Sequence, residues 1–285
     1  MAIKLIECPR DAMQGLHEFI PTQTKVDYIN QLLKVGFDTI DFGSFVSPKA
    51  IPQLKDTAKV LAGLDISDTK SKLLAIIANQ RGAQDACNFE EINYLGFPFS
   101  ISETFQQRNT NSSIEESLKR VEAIQQIATA HNKEMVVYIS MGFGNPYGEE
   151  WSPEIAIHWS KRLNELFGIK IISLSDTIGV SNPENIKLLF SELIPALPEV
   201  EFGAHLHTNP ATWQEKIQAA HESGCQRYDG AIKGFGGCPM AEDKLVGNMA
   251  MENLISFFNQ EQIDLGLDQK EFSQSMLDAL KVFPS

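Results

Sequence analysis

Eight short apolar, β-rich runs alternate with segments of helical period along the chain, and that order leaves few folds open. The runs are Ile3 to Glu7, Phe37 to Phe42, Leu73 to Ala78, Glu91 to Leu95, Met135 to Ser140, Ile169 to Leu174, Val200 to Leu206 and Gln226 to Ala231. Between them the spacing predicts helices near Thr24 to Val35, up to about Leu61, Gly82 to Cys87, Ser113 to Ala130, Ser152 to Phe167, Pro183 to just before Pro195, and Ala211 to Ser223. Helices near Leu245 to Phe258 and Gln269 to Leu280 follow the last run. Ser113-Ile114-Glu115-Glu116 has the pattern of a capping box, and Pro153 stands where a first helical residue tolerates proline. The expectation is an α/β fold, a (β/α)8 TIM barrel with an extra C-terminal helix. It would form a single domain over residues 1–285, with a helical extension from about 260 to 285. A doubly wound sheet is the alternative, but no Gly-Xaa-Gly-Xaa-Xaa-Gly turn follows the first run, which also gives no support for a dinucleotide.

No apolar run approaches the roughly 20 residues a spanning helix needs, and Met1 to Glu7 lacks the apolar core of a secretion signal. A cytoplasmic protein with no membrane partner is therefore expected. The net charge is −13, with 24 Lys and Arg scattered among 37 acids. Such a surface repels a polyanion, so nucleic acid is not an expected partner, although a locally positive pocket can still take a small anion. Cys8, Cys87, Cys225 and Cys238 contain no Cys-Xaa-Xaa-Cys pair, and reduced thiols are the expectation.

In a barrel, chemistry belongs at the C-terminal ends of the strands, and polar residues gather there. Glu7 to Gln14 follows the first run, Asp41 and Ser44 close the second, and Ser175-Asp176-Thr177 follows the sixth. The seventh ends in His205-Leu206-His207, where the period of two in a strand points both imidazoles to one face. Alternate histidines can equally be hydrogen-bonded core residues, so the pair needs further ligands to become a metal site. Asp11 and Asn248 supply them, and a set of Asp11, His205, His207 and Asn248 suits a divalent metal such as Mg2+ or Mn2+ with open positions for substrate oxygens. It lacks the thiolates of a closed zinc site.

Several motifs resemble the 3-hydroxy-3-methylglutaryl-CoA lyase family over nearly the whole chain. They are Cys8-Pro9-Arg10-Asp11 with Gln14, Ser44 to Lys49, Asn109 to Ser117, Ser175 to Val180, the His-Xaa-His pair, Gly236-Gly237-Cys238-Pro239 and Gly247-Asn248. The Gly-Gly-Cys-Pro loop and the Ser-Phe-Val-Ser-Pro-Lys run separate the lyases from related metal-dependent synthases. The resemblance implies cleavage of the thioester to acetyl-CoA and acetoacetate by a retro-aldol step, in leucine degradation or ketone-body formation, and a homodimer. It implies that Asp11, His205, His207 and Asn248 hold the metal, that Arg10 stabilises the enolate oxygen, and that Cys238 transfers a proton. Glu7, Asp41 and Asp176 would be supporting or base-assisting acids. Gln14, Arg108, Asn109 and Asn111 would contact the acyl-CoA substrate, next to a helix N-terminus that favours phosphate groups.

The chain also departs from the family. Asp41 stands where glutamate is usual, and Thr208-Asn209-Pro210 replaces an Asp-Thr continuation after the second histidine. His17 occupies a position commonly lysine, and Asn145 one that is often cysteine. These changes leave three other readings open: a lyase for another 3-hydroxy-3-substituted acyl-CoA, a Claisen-type acyltransferase, and a non-catalytic acyl-CoA binder. An acyltransferase should lack the cysteine loop, and a binder has no need of Arg10 and Cys238 beside every primary ligand.

Overall fold

A computed structural model of the chain describes residues 2–237 and 246–283. Its strands are β1 (Lys4–Glu7), β2 (Thr39–Ser44), β3 (Lys72–Ile76), β4 (Ile92–Ser100), β5 (Glu134–Ser140), β6 (Ile171–Ser175), β7 (Glu201–His205), β8 (His207–Thr208), β9 (Arg227–Gly230) and β10 (Gly247–Asn248). All but β8 and β10 pair side by side in parallel, and β9 returns to β1, so the sheet closes into a barrel. The helices are α1 (Pro9–Gln14), α2 (Thr22–Val35), α3 (Thr57–Ala62), α4 (Gln80–Cys87), α5 (Glu103–Thr110), α6 (Ile114–Ala130), α7 (Pro153–Phe167), α8 (Pro183–Ala196), α9 (Trp213–Glu222), α10 (Met251–Gln260) and α11 (Gln269–Val282).

Parallel strands are covered on both faces, which is why they read as apolar runs. Leu5, Ile40, Leu73, Leu95, Val137 and Ile172 turn outward into one core shared with the helices. Inside the barrel, Leu74, Ile76, Tyr94, Val136, Tyr138 and Ile171 form a separate cluster. The opposite side of the lumen is polar, with Ser173, Asp229 and a fully buried Arg227. Gly203 makes room there, since a Cβ on it would stand 3.1 Å from Ser173 Oγ and 3.2 Å from Arg227 Cδ.

Several elements differ from the sequence expectation. Residues expected to be loop form α1, with Pro9 at its start, and α5, where Ser102 Oγ accepts from Phe105 N at 3.1 Å. The fourth strand runs on through Pro98 to Ser100. Helix α8 continues past Pro195, closed by Leu197 N donating to Leu193 O at 3.0 Å. The helix expected from Leu245 begins only at Met251, because Gly247 and Asn248 pair antiparallel with Thr208 and His207. The expected run to Leu206 is likewise divided, with His205 closing the barrel strand and His207 opening β8. The last helix, α11, lies on α2, where Gln31 Nε2 donates to Glu271 O at 3.0 Å and Phe272 meets Phe37 edge-on. Among the described residues, no helix is long and apolar enough to cross a membrane.

Candidate active site

The chain leaves β1 and turns at once into α1, so Arg10 and Asp11 are carried over the barrel mouth and buried. Arg10 is held on two sides. Its Nε and Nη2 donate to Asp41, at 3.0 and 2.5 Å from Oδ2, while Nη1 donates to Asp11 Oδ1 at 2.8 Å and to Gln14 Oε1 at 2.9 Å. Gln14 Nε2 in turn donates to Asp11 Oδ1 at 2.7 Å. Burial opposes the Arg10 charge, but Asp41 and Asp11 outweigh it and hold the guanidinium above its ordinary value. Burial also pushes Asp41 up to about 6 against the pull of Arg10, whereas Arg10 and His205 bring Asp11 below the usual carboxylate range despite its burial.

Sheet pairing assembles the rest. His205 lies opposite Asp229 in the barrel ladder, and His207 lies opposite Asn248 in the small antiparallel ladder. Donor atoms of Asp11, His205 and His207 all come within 4.8 Å of one another. His205 Nδ1 is 3.0 Å from Asp229 Oδ2, and His207 Nδ1 is 3.1 Å from the Thr177 carbonyl. Each ring therefore keeps Nε2 for a ligand, and His207 Nε2 is buried with no hydrogen-bond partner among the described residues. Burial and then the His205 charge push His207 down to about 4, which keeps it neutral and ready to coordinate near pH 7. For His205 burial acts downward, but the Asp229 hydrogen bond and charge win and raise it. A carboxylate and two imidazoles of this kind fit a divalent cation. Asn248 presents its nitrogen: Nδ2 donates to Asp11 Oδ2 at 2.7 Å and to the Phe235 carbonyl at 2.9 Å. Its oxygen reaches an ion beside Asp11 only if the amide turns over.

These residues border a cavity of about 380 Å³. Arg10, Asp11, Gln14, His205 and His207 line its polar side, while Arg108 and Asn109 stand at the α5 side. Asn111, expected beside them, is absent from the wall: it ends α5 in a left-handed conformation and its Oδ1 accepts from Gln107 at 3.1 Å. Thr110 lines the cavity in its place. Glu7, Asp41 and Asp176 do not line it either. Glu7 Oε1 accepts from Ile232 N at 3.0 Å, and burial raises its carboxyl well above the ordinary value. Asp41 clamps Arg10 from behind. Asp176 is taken up by Ser181 and Lys216.

Cys238 lies outside the described residues. The loop leading to it approaches α1 closely, since a Cβ on Gly236 would stand 2.7 Å from Asn248 Nδ2 and 2.8 Å from Ala12 Cα, and its φ is +93°. Sequence reasoning missed Asp229, Tyr138 and Lys216, and it placed Thr177 at the rim without a role. Tyr138 lines the cavity and meets the His205 ring edge-on at 5.6 Å. The HMGL-like family model matches residues 3–277. The chain belongs to the HMGL-like family.

Among HMGL-like relatives, the hydroxymethylglutaryl-CoA lyase YngG of Bacillus subtilis is 34% identical over 273 residues, covering 96% of this chain and 89% of the relative. A Pseudomonas aeruginosa relative named 3-hydroxy-3-isohexenylglutaryl-CoA/hydroxymethylglutaryl-CoA lyase is 31% identical, covering 93% of this chain and 88% of its own. The structure of an HMG-CoA lyase from Acinetobacter baumannii in complex with coenzyme A and 3-methylmalate superposes with a TM-score of 0.90 at 29% identity. It covers 99% of this chain and 91% of that one. As an HMGL-like protein the chain is a lyase, and its Asp11, His205 and His207 form a group able to hold a metal ion.

Proposed function

We propose that this chain cleaves 3-hydroxy-3-methylglutaryl-CoA to acetyl-CoA and acetoacetate in a reaction that needs Mg2+ or Mn2+. The observation that carries this reading is the convergence of Asp11, His205 and His207 beside Arg10 at the polar side of the cavity. The substrate hydroxyl and free carboxylate face the Asp11, His205 and His207 side, and the thioester carbonyl faces Arg10. When bound, a divalent ion supplies a Lewis acid beside those substrate oxygens. Once the hydroxyl proton has passed to water, C3–O becomes a carbonyl, the C2–C3 bond breaks, and its electrons enter the thioester enolate. A guanidinium has five N–H donors. Four of those of Arg10 are spent on Asp41, Asp11 and Gln14, and one Nη2 N–H is left for the enolate oxygen. Because the fork is already fixed, it needs no reorganisation as charge develops. Cys238 returns a proton to C2. Gln14, Arg108 and Asn109 contact the acyl-CoA, and Asn248 supports Asp11.

The test is turnover by the purified chain with each ion. Acetoacetate and acetyl-CoA should appear in equal amounts and vanish with a chelator or in His205→Ala. Cys238→Ser should lower kcat by about 10²-fold or more, the range of a positioned acid, without weakening metal binding. No turnover with either ion would remove the standard substrate. The same reading keeps a cytoplasmic homodimer as its expectation, with leucine degradation or ketone-body formation as the setting, and light scattering on the purified chain checks the dimer.

A second reading is favoured by the far wall of the cavity. Val46, Ala50, Ile51, Ile76, Ala78 and Pro98 offer an apolar face that suits a substituent longer than methyl at C3. Comparing kcat/KM for the methyl substrate with that for a longer 3-alkyl homologue decides between them.

A further inference from the structure

Lys216 of α9 lies outside the cavity, yet it is buried and all three ammonium hydrogens have acceptors. Nζ donates to Asp176 Oδ2 at 2.9 Å, to the His207 carbonyl at 2.9 Å and to the Gly179 carbonyl at 3.3 Å. The first and last of these belong to the loop after β6, and the second belongs to β8. Asp176 ties that loop down: its N donates to the His205 carbonyl at 2.9 Å, Oδ1 accepts from Ser181 N at 3.1 Å, and Oδ2 accepts from Ser181 Oγ at 2.5 Å. The same loop carries the Thr177 carbonyl that meets His207 Nδ1. One buried cation therefore grips both the main chain of His207 and the segment that orients the His207 ring. Among the described residues, Asp176 has both oxygens occupied by Ser181 and Lys216 and does not line the cavity.

We propose that Lys216 is a positioning residue that keeps His207 Nε2 directed at Asp11 and His205, and that Asp176 serves as its counter-ion rather than as an acid or base in the reaction. This rests on Asp11, His205 and His207 being the metal site. Removing a partner that orients a ligating imidazole typically weakens metal binding 10- to 100-fold.

The experiment titrates the full chain, Lys216→Met and the double variant Asp176→Asn/Lys216→Met with Mn2+ by calorimetry without substrate, beside kcat, KM and thermal melting. Lys216→Met should bind Mn2+ about 10- to 100-fold more weakly and lose kcat. The double variant leaves no uncompensated buried charge, so it should melt close to the unaltered chain yet keep the weakened affinity. Mn2+ affinity within about twofold of the unaltered chain in either folded variant overturns the proposal, because Lys216 would then only neutralise Asp176. If Lys216→Met does not fold, the double variant decides by the same criterion. An unaltered chain that binds no Mn2+ overturns the metal reading and this inference with it, whereas normal binding by the variants overturns this inference alone.

Discussion

His205 and Asp229 are register partners on neighbouring barrel strands, with Nδ1 3.0 Å from Oδ2. Because the ladder sets this distance, the imidazole is oriented by the sheet rather than by a loop. A carboxylate at Nδ1 fixes the tautomer and makes Nε2 a better ligand.

Asp229→Asn keeps the shape and removes the charge. Mn2+ affinity should fall by about 10-fold or more, with thermal stability little changed when measured on the chelated protein. An unchanged affinity would show that the carboxylate does not tune His205.

Metal binding should be linked to protons. His205 is raised above 6.5 and must lose its proton to coordinate, while His207, at about 4, is already neutral near pH 7. Calorimetry in two buffers of different ionisation heat should therefore record up to one proton released per ion around neutral pH. Affinity should rise with pH through that window and then level off. Binding with no buffer dependence and a flat pH profile would contradict the assignment.

Arg10→Lys should lower kcat by about 10²- to 10³-fold, with a much smaller change in KM, because an ammonium has three donors on one atom, fewer than the four the guanidinium already places on Asp41, Asp11 and Gln14 before one is left for the enolate oxygen. Steady-state kinetics at saturating metal separates this from lost metal affinity. An equal rise in KM with kcat intact would assign Arg10 to binding alone.

Two buried groups should give the chelated protein opposing acid responses. For His207 the folded value of about 4 is below the ordinary 6.5, so its stabilisation is full above 6.5 and lost as pH falls through 4. That change amounts to on the order of 3 kcal/mol. For Asp41 the folded value of about 6 is above 3.8, so stability is gained as pH falls through that interval, by a similar order. In urea unfolding, His207→Asn should gain stability relative to the unaltered chain between pH 6.5 and 4, and Asp41→Asn should lose it. Parallel curves for both variants would refute the two assignments.

The barrel and the mouth residues were legible because each depends on local pattern. Apolar runs buried on both faces, Ser113 with Glu116, and Arg10-Asp11 just after a strand need no knowledge of distant partners. What stayed hidden depends on register between strands far apart in the chain. Asp229 reads as a polar residue within a strand until β7 and β9 are aligned, and Lys216 has the spacing of an ordinary surface lysine on a helix. The His207–Asn248 pairing was hidden for the same reason, since two residues at each position make the ladder and neither has a strand signature. Asn111 misled because its αL cap turns a residue next to the cavity wall away from it.

The cavity has ligands and cation on one side and an apolar wall on the other, and this division makes it handed. Carbon 3 of a 3-hydroxy-3-methyl acyl thioester bears four different groups. Once the hydroxyl and carboxylate are turned to Asp11 and the histidines and the thioester to Arg10, only one mirror form lays its methyl group against Val46 and Ile76. The opposite form drives its methyl into polar ground or withdraws its hydroxyl. If the chain acts as proposed, its choice between mirror forms would come from the contrast between two walls, before any bond is broken.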